Sequence, residues 1–239
     1  MRRYLPYAYG FDNPIRFLEK DGMAPEDVVL NGPEKQKAFT ELQKSVQGKL
    51  SLSMDNNGKV SYAKVGEGRI RGDARQLSNA IDDHSITVNV NATNSKTTPN
   101  GLTMIGGAFG GNAVTTTNGN TTVQATQNIN PNVLSASDAP YGKPGANTLH
   151  EVTEAYQGAK LSQSSGVSSG DSNTPGNIYD AAHAAATNQA GNIYEKDYDA
   201  IGRVLPPAAG GHVYPPGTVR ADFSVQPENQ QPTIILSVP

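Results

Sequence analysis

Residues 147–161 read NTLHEVTEAYQGAKL, and the organisation of the whole chain turns on this stretch being a helix. It contains no Pro, its single Gly (Gly158) lies late, and Leu149, Val152, Tyr156 and Ala159 recur at helical intervals as one apolar stripe. On such a helix His150 and Glu154, four positions apart, stack on a common edge. An imidazole and a carboxylate so placed can converge on one cation, as the two His of an H-E-x-x-H motif do. Glu151 lies about 100° further round, where it can reach a water beside the cation rather than the cation itself. The plainer alternative is a solvated charged face, because Glu is a good helix former.

A catalytic zinc normally takes three protein ligands and a water, so a third ligand must come from elsewhere. The chain has no Cys, which excludes thiolate sites and disulfides alike, and only four His. His183, within YDAAHAAATNQ (residues 179–189), is preferred, because an Ala-rich helix over Ile178–Gln189 can approach the first helix closely. The expected set is therefore His150, Glu154 and His183 as ligands of Zn2+, with Glu151 as catalytic base. His212, in a Gly/Pro loop, is a spare ligand, and His84 after Asp82-Asp83 reads as an exposed loop residue or a partner of a helix C-terminus. Tyr179, four residues before His183, and Tyr156 are the candidates for touching substrate or a developing oxyanion, although the spacing of Tyr156 favours the core.

Working outward, SQSSGVSSGDSNTPG (residues 162–176) reads as a mobile low-complexity loop. Pro33 and Gly48 bracket an N-terminal helix carrying Phe39, Leu42 and Val46. Leu50–Met54 and Val60–Ala63 flank Asn57-Gly58 as a hairpin. A second helix begins at Asp73, which is read as its cap, and buries Leu77, Ala80 and Ile81. Ile86, Val88 and Val90 alternate as a half-buried strand, a candidate edge for adding an extended peptide. Leu102–Ile105, Val114–Thr117 and Thr121–Gln127 read as short Thr-rich strands. GGAFGG (residues 106–111) lacks the Gly-Lys-Ser/Thr ending of a phosphate loop and reads as a turn that lines a cleft. Beyond Leu205 the chain is Pro- and Gly-rich, with strands expected at Val219–Val225 and Thr233–Val238.

Composition narrows the function classes. A net charge of -3 over 239 residues, without a basic stripe, argues against nucleic acid as the main partner. No apolar run is long enough to span a membrane. Met1-Arg2-Arg3 is not followed by the apolar segment of a signal peptide.

Two stretches resemble a known family. Tyr7, Tyr9, Asn13, Pro14, Ile15, Phe17, Asp21, Gly22 and Met23 match the closing segment of Rhs/YD-repeat proteins, with Glu19-Lys20 where that family usually has Asp-Pro. LHEVTEAYQGAK followed by YDAAHAAA is similar to the active-site region of metallopeptidase-like toxin domains at the C-termini of bacterial Rhs proteins. AFTELQKS, LSLSMDNNGKVSYA, the LSNAIDDHSITVNV run and GGAFGGN also look similar, so the likeness spans most of residues 30–190.

The resemblance implies an α+β fold, with a small mixed or antiparallel sheet packed on an active-site helix in the zincin manner and long polar loops. It implies a repeat-terminal segment at 1–25 and a toxin domain at 26–205, whereas residues 206–239 lie outside the likeness and read from composition as a Pro/Gly-rich C-terminal segment with short strands. It further implies a zinc metallopeptidase acting on a protein or peptide substrate, secreted or surface-borne as part of a larger bacterial protein, and paired with an immunity protein. In that reading zinc polarises the scissile carbonyl and Glu151 takes the proton of the attacking water. The alternatives are a non-enzymatic interaction or adhesin module and a cell-wall amidase.

Overall fold

The computed structural model describes residues 28–101, 103–208 and 214–239. The repeat-like segment of residues 1–25 and His212 lie outside the described residues. Around the site the chain builds two layers, a twisted four-stranded sheet and a group of helices laid on one of its faces.

Val28–Asn31 (β1), Ile86–Ala92 (β4), Asn120–Ile129 (β6) and Gly107–Thr117 (β5) form this sheet in the order β1-β4-β6-β5. β1, β4 and β6 run parallel and β5 closes the edge antiparallel. The alternation in the sequence explains which face is covered. Ile86, Val88, Val90 and Ala92 on β4, and Val123, Ala125, Gln127 and Ile129 on β6, are all buried. Their intervening neighbours, such as Asn89, Asn91, Thr126 and Asn128, are only half-buried and form a polar outer face. Asn118 supplies the positive φ (52°) of the two-residue turn joining β5 to β6.

Ala146–Ser165 (α4) lies across the buried face and is covered almost all round, from Asn147 to Tyr156 without a break. Lys35–Ser45 (α1), Asp73–Asp82 (α2), Pro131–Asp138 (α3) and Tyr179–Ala185 (α5) pack about it. Gly158 permits two of these approaches. A Cβ there would lie 3.0 Å from the Phe109 ring of β5 and 3.4 Å from Ala182 of α5. Leu50–Met54 (β2) and Val60–Lys64 (β3) form the expected hairpin.

Several sequence expectations are corrected. The stretch read as a glycine-rich turn, residues 106–111, is mostly strand: it enters β5, with a register shift between Phe109 and Asn112. α3 was not expected, although Asn130 caps it by accepting from the Asn132 and Val133 amides and Pro131 fills its first turn. The helix of His183 ends at Ala185, and Ala186 is already extended. α1 begins at Lys35 rather than Pro33, and Gly72, not Asp73, holds the cap position of α2. The Ile86–Val90 strand is internal, paired on both sides, and cannot accept a further strand. No strand forms over the described residues 103–105, where Thr103 makes only an isolated bridge to Thr97. The low-complexity loop is docked on the edge of β5: Asn112 N donates to Ser169 O at 2.8 Å and Val114 N to Ser168 Oγ at 2.9 Å.

The expected boundary at residue 205 falls between strands that pair in one sheet. Ile193–Tyr198 (β7), Arg220–Val225 (β8) and Thr233–Val238 (β9) form one antiparallel unit. Phe223, Leu236 and Val238 pack with Val133 of α3 in a second small core. Tyr214 ties to Thr103 at 3.0 Å, and Lys96 to the Ser237 carbonyl at 2.7 Å.

Candidate metal centre

Two turns of α4 and one of α5 bring together the three side chains singled out from spacing. His150 Nε2 lies 3.0 Å from His183 Nδ1 and 3.5 Å from Glu154 Oε2, and His183 Nδ1 lies 2.7 Å from the same oxygen. Bonds of about 2.0–2.2 Å to a tetrahedral zinc require ligand atoms roughly 3.3–3.5 Å apart. The 3.5 Å edge already fits, the 3.0 Å edge falls a few tenths of an ångström short, and only the 2.7 Å edge must open substantially. Among the described residues, this is the group of His, Asp and Glu side chains whose ligand atoms converge closely enough to hold a metal ion.

The surroundings prepare each ligand. His150 Nδ1 faces the Thr187 carbonyl at 2.5 Å. A proton on Nδ1 donated there leaves the Nε2 lone pair aimed at the site. Thr187 is itself held by Thr153, whose Oγ1 accepts from the Thr187 amide at 3.1 Å. The chain after α5 is thus pinned to the ligand helix, and Ala190 N extends the seam by donating to Asn147 Oδ1 at 2.9 Å. Glu154 divides its oxygens, Oε2 facing the two imidazoles and Oε1 accepting from Gln127 Nε2 at 3.2 Å.

Electrostatics favour a cation. Glu151 and Glu154 are 7% and 2% exposed, and among the described residues no Lys or Arg pairs with either. Burial, and then the Glu154 charge, push the Glu151 carboxyl up to about 8, against the smaller pull of His150 and Gln127. Burial disfavours charge on His150 as well, but the Glu154 hydrogen bond, the Glu151 charge and the Thr187 carbonyl together raise it. Buried carboxylates without a cationic partner are costly, and a bound dication would reverse the upward shift of Glu151. Two imidazoles and a carboxylate, with no thiolate, are a donor set that suits a divalent transition metal, zinc and iron among them.

The three ligands and Glu151 do not all face solvent equally. Glu151, Glu154 and His183 line a cleft of about 790 Å³, while His150 is sealed beneath them. Gly107 and Ala108 of β5 form one wall, Ser172 and Asn173 of the docked loop another, and Ile193 and Tyr194 of β7 a third. Gly106 O accepts from Asn130 N at 2.7 Å, so by the antiparallel alternation Gly107 turns its amide and carbonyl outward, away from β6. Tyr179 also lines the cleft, its hydroxyl 3.5 Å from His183 Nδ1. Burial and the nearby Glu154, Glu151 and Asp180 charges raise its pKa, so the phenol remains a proton donor.

Tyr156 does not belong to the site. It is 4% exposed, sits in the main core and donates its hydroxyl to Asp83 Oδ2 at 3.0 Å. His84 is exposed and does not belong to the three-residue group. Sequence reasoning missed Gln127 and Thr187, whereas the glycine-rich stretch was expected to line a cleft and Gly107 does so. Gln127 had a readable signal, since it interrupts the apolar row Val123, Ala125, Ile129. Thr187 had none, because it acts through its backbone carbonyl. No family model, curated protein or solved structure matches the chain.

Proposed function

We propose that this chain is a zinc-dependent hydrolase of peptide bonds, a metallopeptidase domain of the kind carried by Rhs-type toxins. The observation that carries the reading is the convergence of His150 Nε2, His183 Nδ1 and Glu154 Oε2 beside a fourth, non-ligating carboxyl, Glu151, in one cleft. Such a site has metal-binding and proton-transfer groups together, which a plain adhesive surface does not need. A mixed sheet with an antiparallel edge strand beside the ligand helix also agrees with a zincin-like arrangement.

When bound, zinc would polarise the scissile carbonyl and acidify an attacking water. Glu151, held on the cleft floor between Gly107 and the ligand helix, takes the proton of that water and delivers it to the leaving amine. Tyr179 donates to the carbonyl oxygen as negative charge develops on it. An extended substrate can meet the outward-facing backbone of Gly107 at the end of β5, beyond the stretch covered by the docked loop.

The purified protein is expected to hold close to one zinc per chain and to cleave unfolded protein substrates. His150→Ala and Glu154→Ala should lose the metal. Glu151→Gln should keep it, with activity lowered on the order of 10²–10⁴-fold. Cleavage of cell-wall fragments but not of unfolded protein would redirect the reading to an amidase. A metal-free, folded wild-type protein would remove the enzymatic reading altogether.

A further inference from the structure

We infer that Gln127 is the positioning residue of this centre, its one amide group setting the orientation of both glutamates; the inference rests on the metal-centre reading above. Gln127 is fully buried in the middle of β6, at a position whose neighbours on the same face are Ala125 and Ile129. Its Nε2 donates to Glu151 Oε2 and, at 3.2 Å, to Glu154 Oε1. An amide nitrogen has two hydrogens, so each is assigned to a different carboxylate. The amide carbonyl, Oε1, is buried without a hydrogen-bond partner. A group chosen for packing or for its own satisfaction would not leave that oxygen bare, since an orphaned buried acceptor is destabilising.

The consequence is a division of the two carboxylates. With Oε1 held by Gln127, Glu154 presents only Oε2 toward His150 and His183 and is restricted to binding through one oxygen. Glu151, drawn to the same nitrogen and lying against the Cα of Gly107, is kept off the ligand edge and facing the cleft. With a cation bound both carboxyls are anionic, and the reversed amide would aim its carbonyl at them, so the orientation of Gln127 is fixed by its partners. A Glu at this position would add a third buried carboxyl, and a Met of similar length would supply no donor.

The test compares wild type with Gln127→Met and Gln127→Asn, using zinc competition against a chromophoric chelator, the visible spectrum of the Co2+-loaded protein, and steady-state hydrolysis. Gln127→Met should remain folded, bind zinc about 10–100-fold more weakly, as expected when the partner of a metal ligand is removed, and show a Co2+ spectrum altered by Glu154 binding through both oxygens. Turnover should fall with KM little changed. Gln127→Asn retains an amide shortened by one methylene and should show the same spectral change, which keeps the test in force if Met disturbs the sheet. Wild-type zinc affinity and an unaltered Co2+ spectrum in both variants would overturn the assignment while leaving the peptidase reading intact. A wild-type protein that binds zinc but hydrolyses nothing would overturn the peptidase reading, and the affinity and spectral shifts would still support Gln127. Absence of metal binding by wild type would overturn both.

Discussion

At the residue scale the centre depends on atoms that are missing as much as on atoms present. A Cβ on Gly107 would sit 2.0 Å from the Glu151 carboxyl carbon, a distance no real structure tolerates. Gly107→Ala must therefore displace Glu151 from the Gln127 amide while leaving His150, Glu154 and His183 in place. The expected result is a protein that keeps its zinc and loses at least about tenfold in turnover, on the lower side of what general-base removal costs. Metal content and kcat measured on the same preparation decide the matter, and unchanged kcat would show that Glu151 is free to move. Asp138 illustrates a different residue-level cost. It is 1% exposed and receives the Asn147 amide at 3.1 Å, yet burial pushes its carboxyl up from 3.8 to about 6. The unfolded chain loses this proton near 3.8 and the folded chain only near 6, so stability falls as pH rises across that window and is constant above it. The loss amounts to about 3 kcal/mol at most. Asp138→Asn keeps the oxygen that accepts from Asn147 and cannot ionise. Its melting temperature relative to wild type should rise between pH 4 and pH 6.5, and a difference flat with pH would refute the account.

At the scale of elements, α4 and α5 must be close enough for His183 to reach Glu154, and Gly158 sets that distance. Gly158→Val places methyl groups where Phe109 and Ala182 already stand, and overpacking of this kind costs about 1–3 kcal/mol. Because α5 carries His183, zinc affinity should drop together with the melting temperature; a variant that loses stability but not affinity would uncouple the two helices. The same elements mark what was legible in the sequence. His150, Glu151 and Glu154 could be read because helical spacing alone decides which residues share an edge. His183 could be named from scarcity, the chain having few imidazoles and no thiols. β4 was readable by alternation but not its place in the sheet, since periodicity carries no information on pairing partners. The first half of β5 was hidden because Gly106, Gly107, Gly110 and Gly111 are turn formers locally, whereas here bare Cα positions admit Glu151 and the docked loop. That loop was read as mobile from composition, yet its Ser side chains and backbone satisfy the edge of β5. Local polarity cannot distinguish a solvated loop from one that covers a strand edge.

Over the whole molecule, the second sheet decides how far the fold extends beyond its ligand helix. β7 supplies the Ile193 and Tyr194 wall of the cleft, but among the described residues its sheet partner is β8, which lies after the Pro/Gly-rich stretch that composition marks as a boundary. Val133 of α3 then bridges the layers, since α3 leads directly into the turn that begins α4. A chain ending at residue 205 would lose Phe223, Leu236 and Val238, leave β7 unpaired and uncover Val133. Each large side chain so removed from a core contributes about 1.5–3 kcal/mol, so the total is a large part of the stability of an ordinary domain. The three ligands are untouched by this cut, because α4 is seated on the four-stranded sheet and α5 packs on α4. The truncated chain should therefore melt well below the full one and lose the β7 side of the cleft, while any fraction that remains folded still binds zinc. Thermal melts with and without added zinc separate these effects. Binding to the folded form alone raises stability by about 2.7 kcal/mol at a hundredfold excess over Kd, so zinc should recover part of the lost melting temperature. A truncated chain that melts with the full-length protein would mean that β8 and β9 form an appendage after all, and the cleft would then need only the first sheet and its helices.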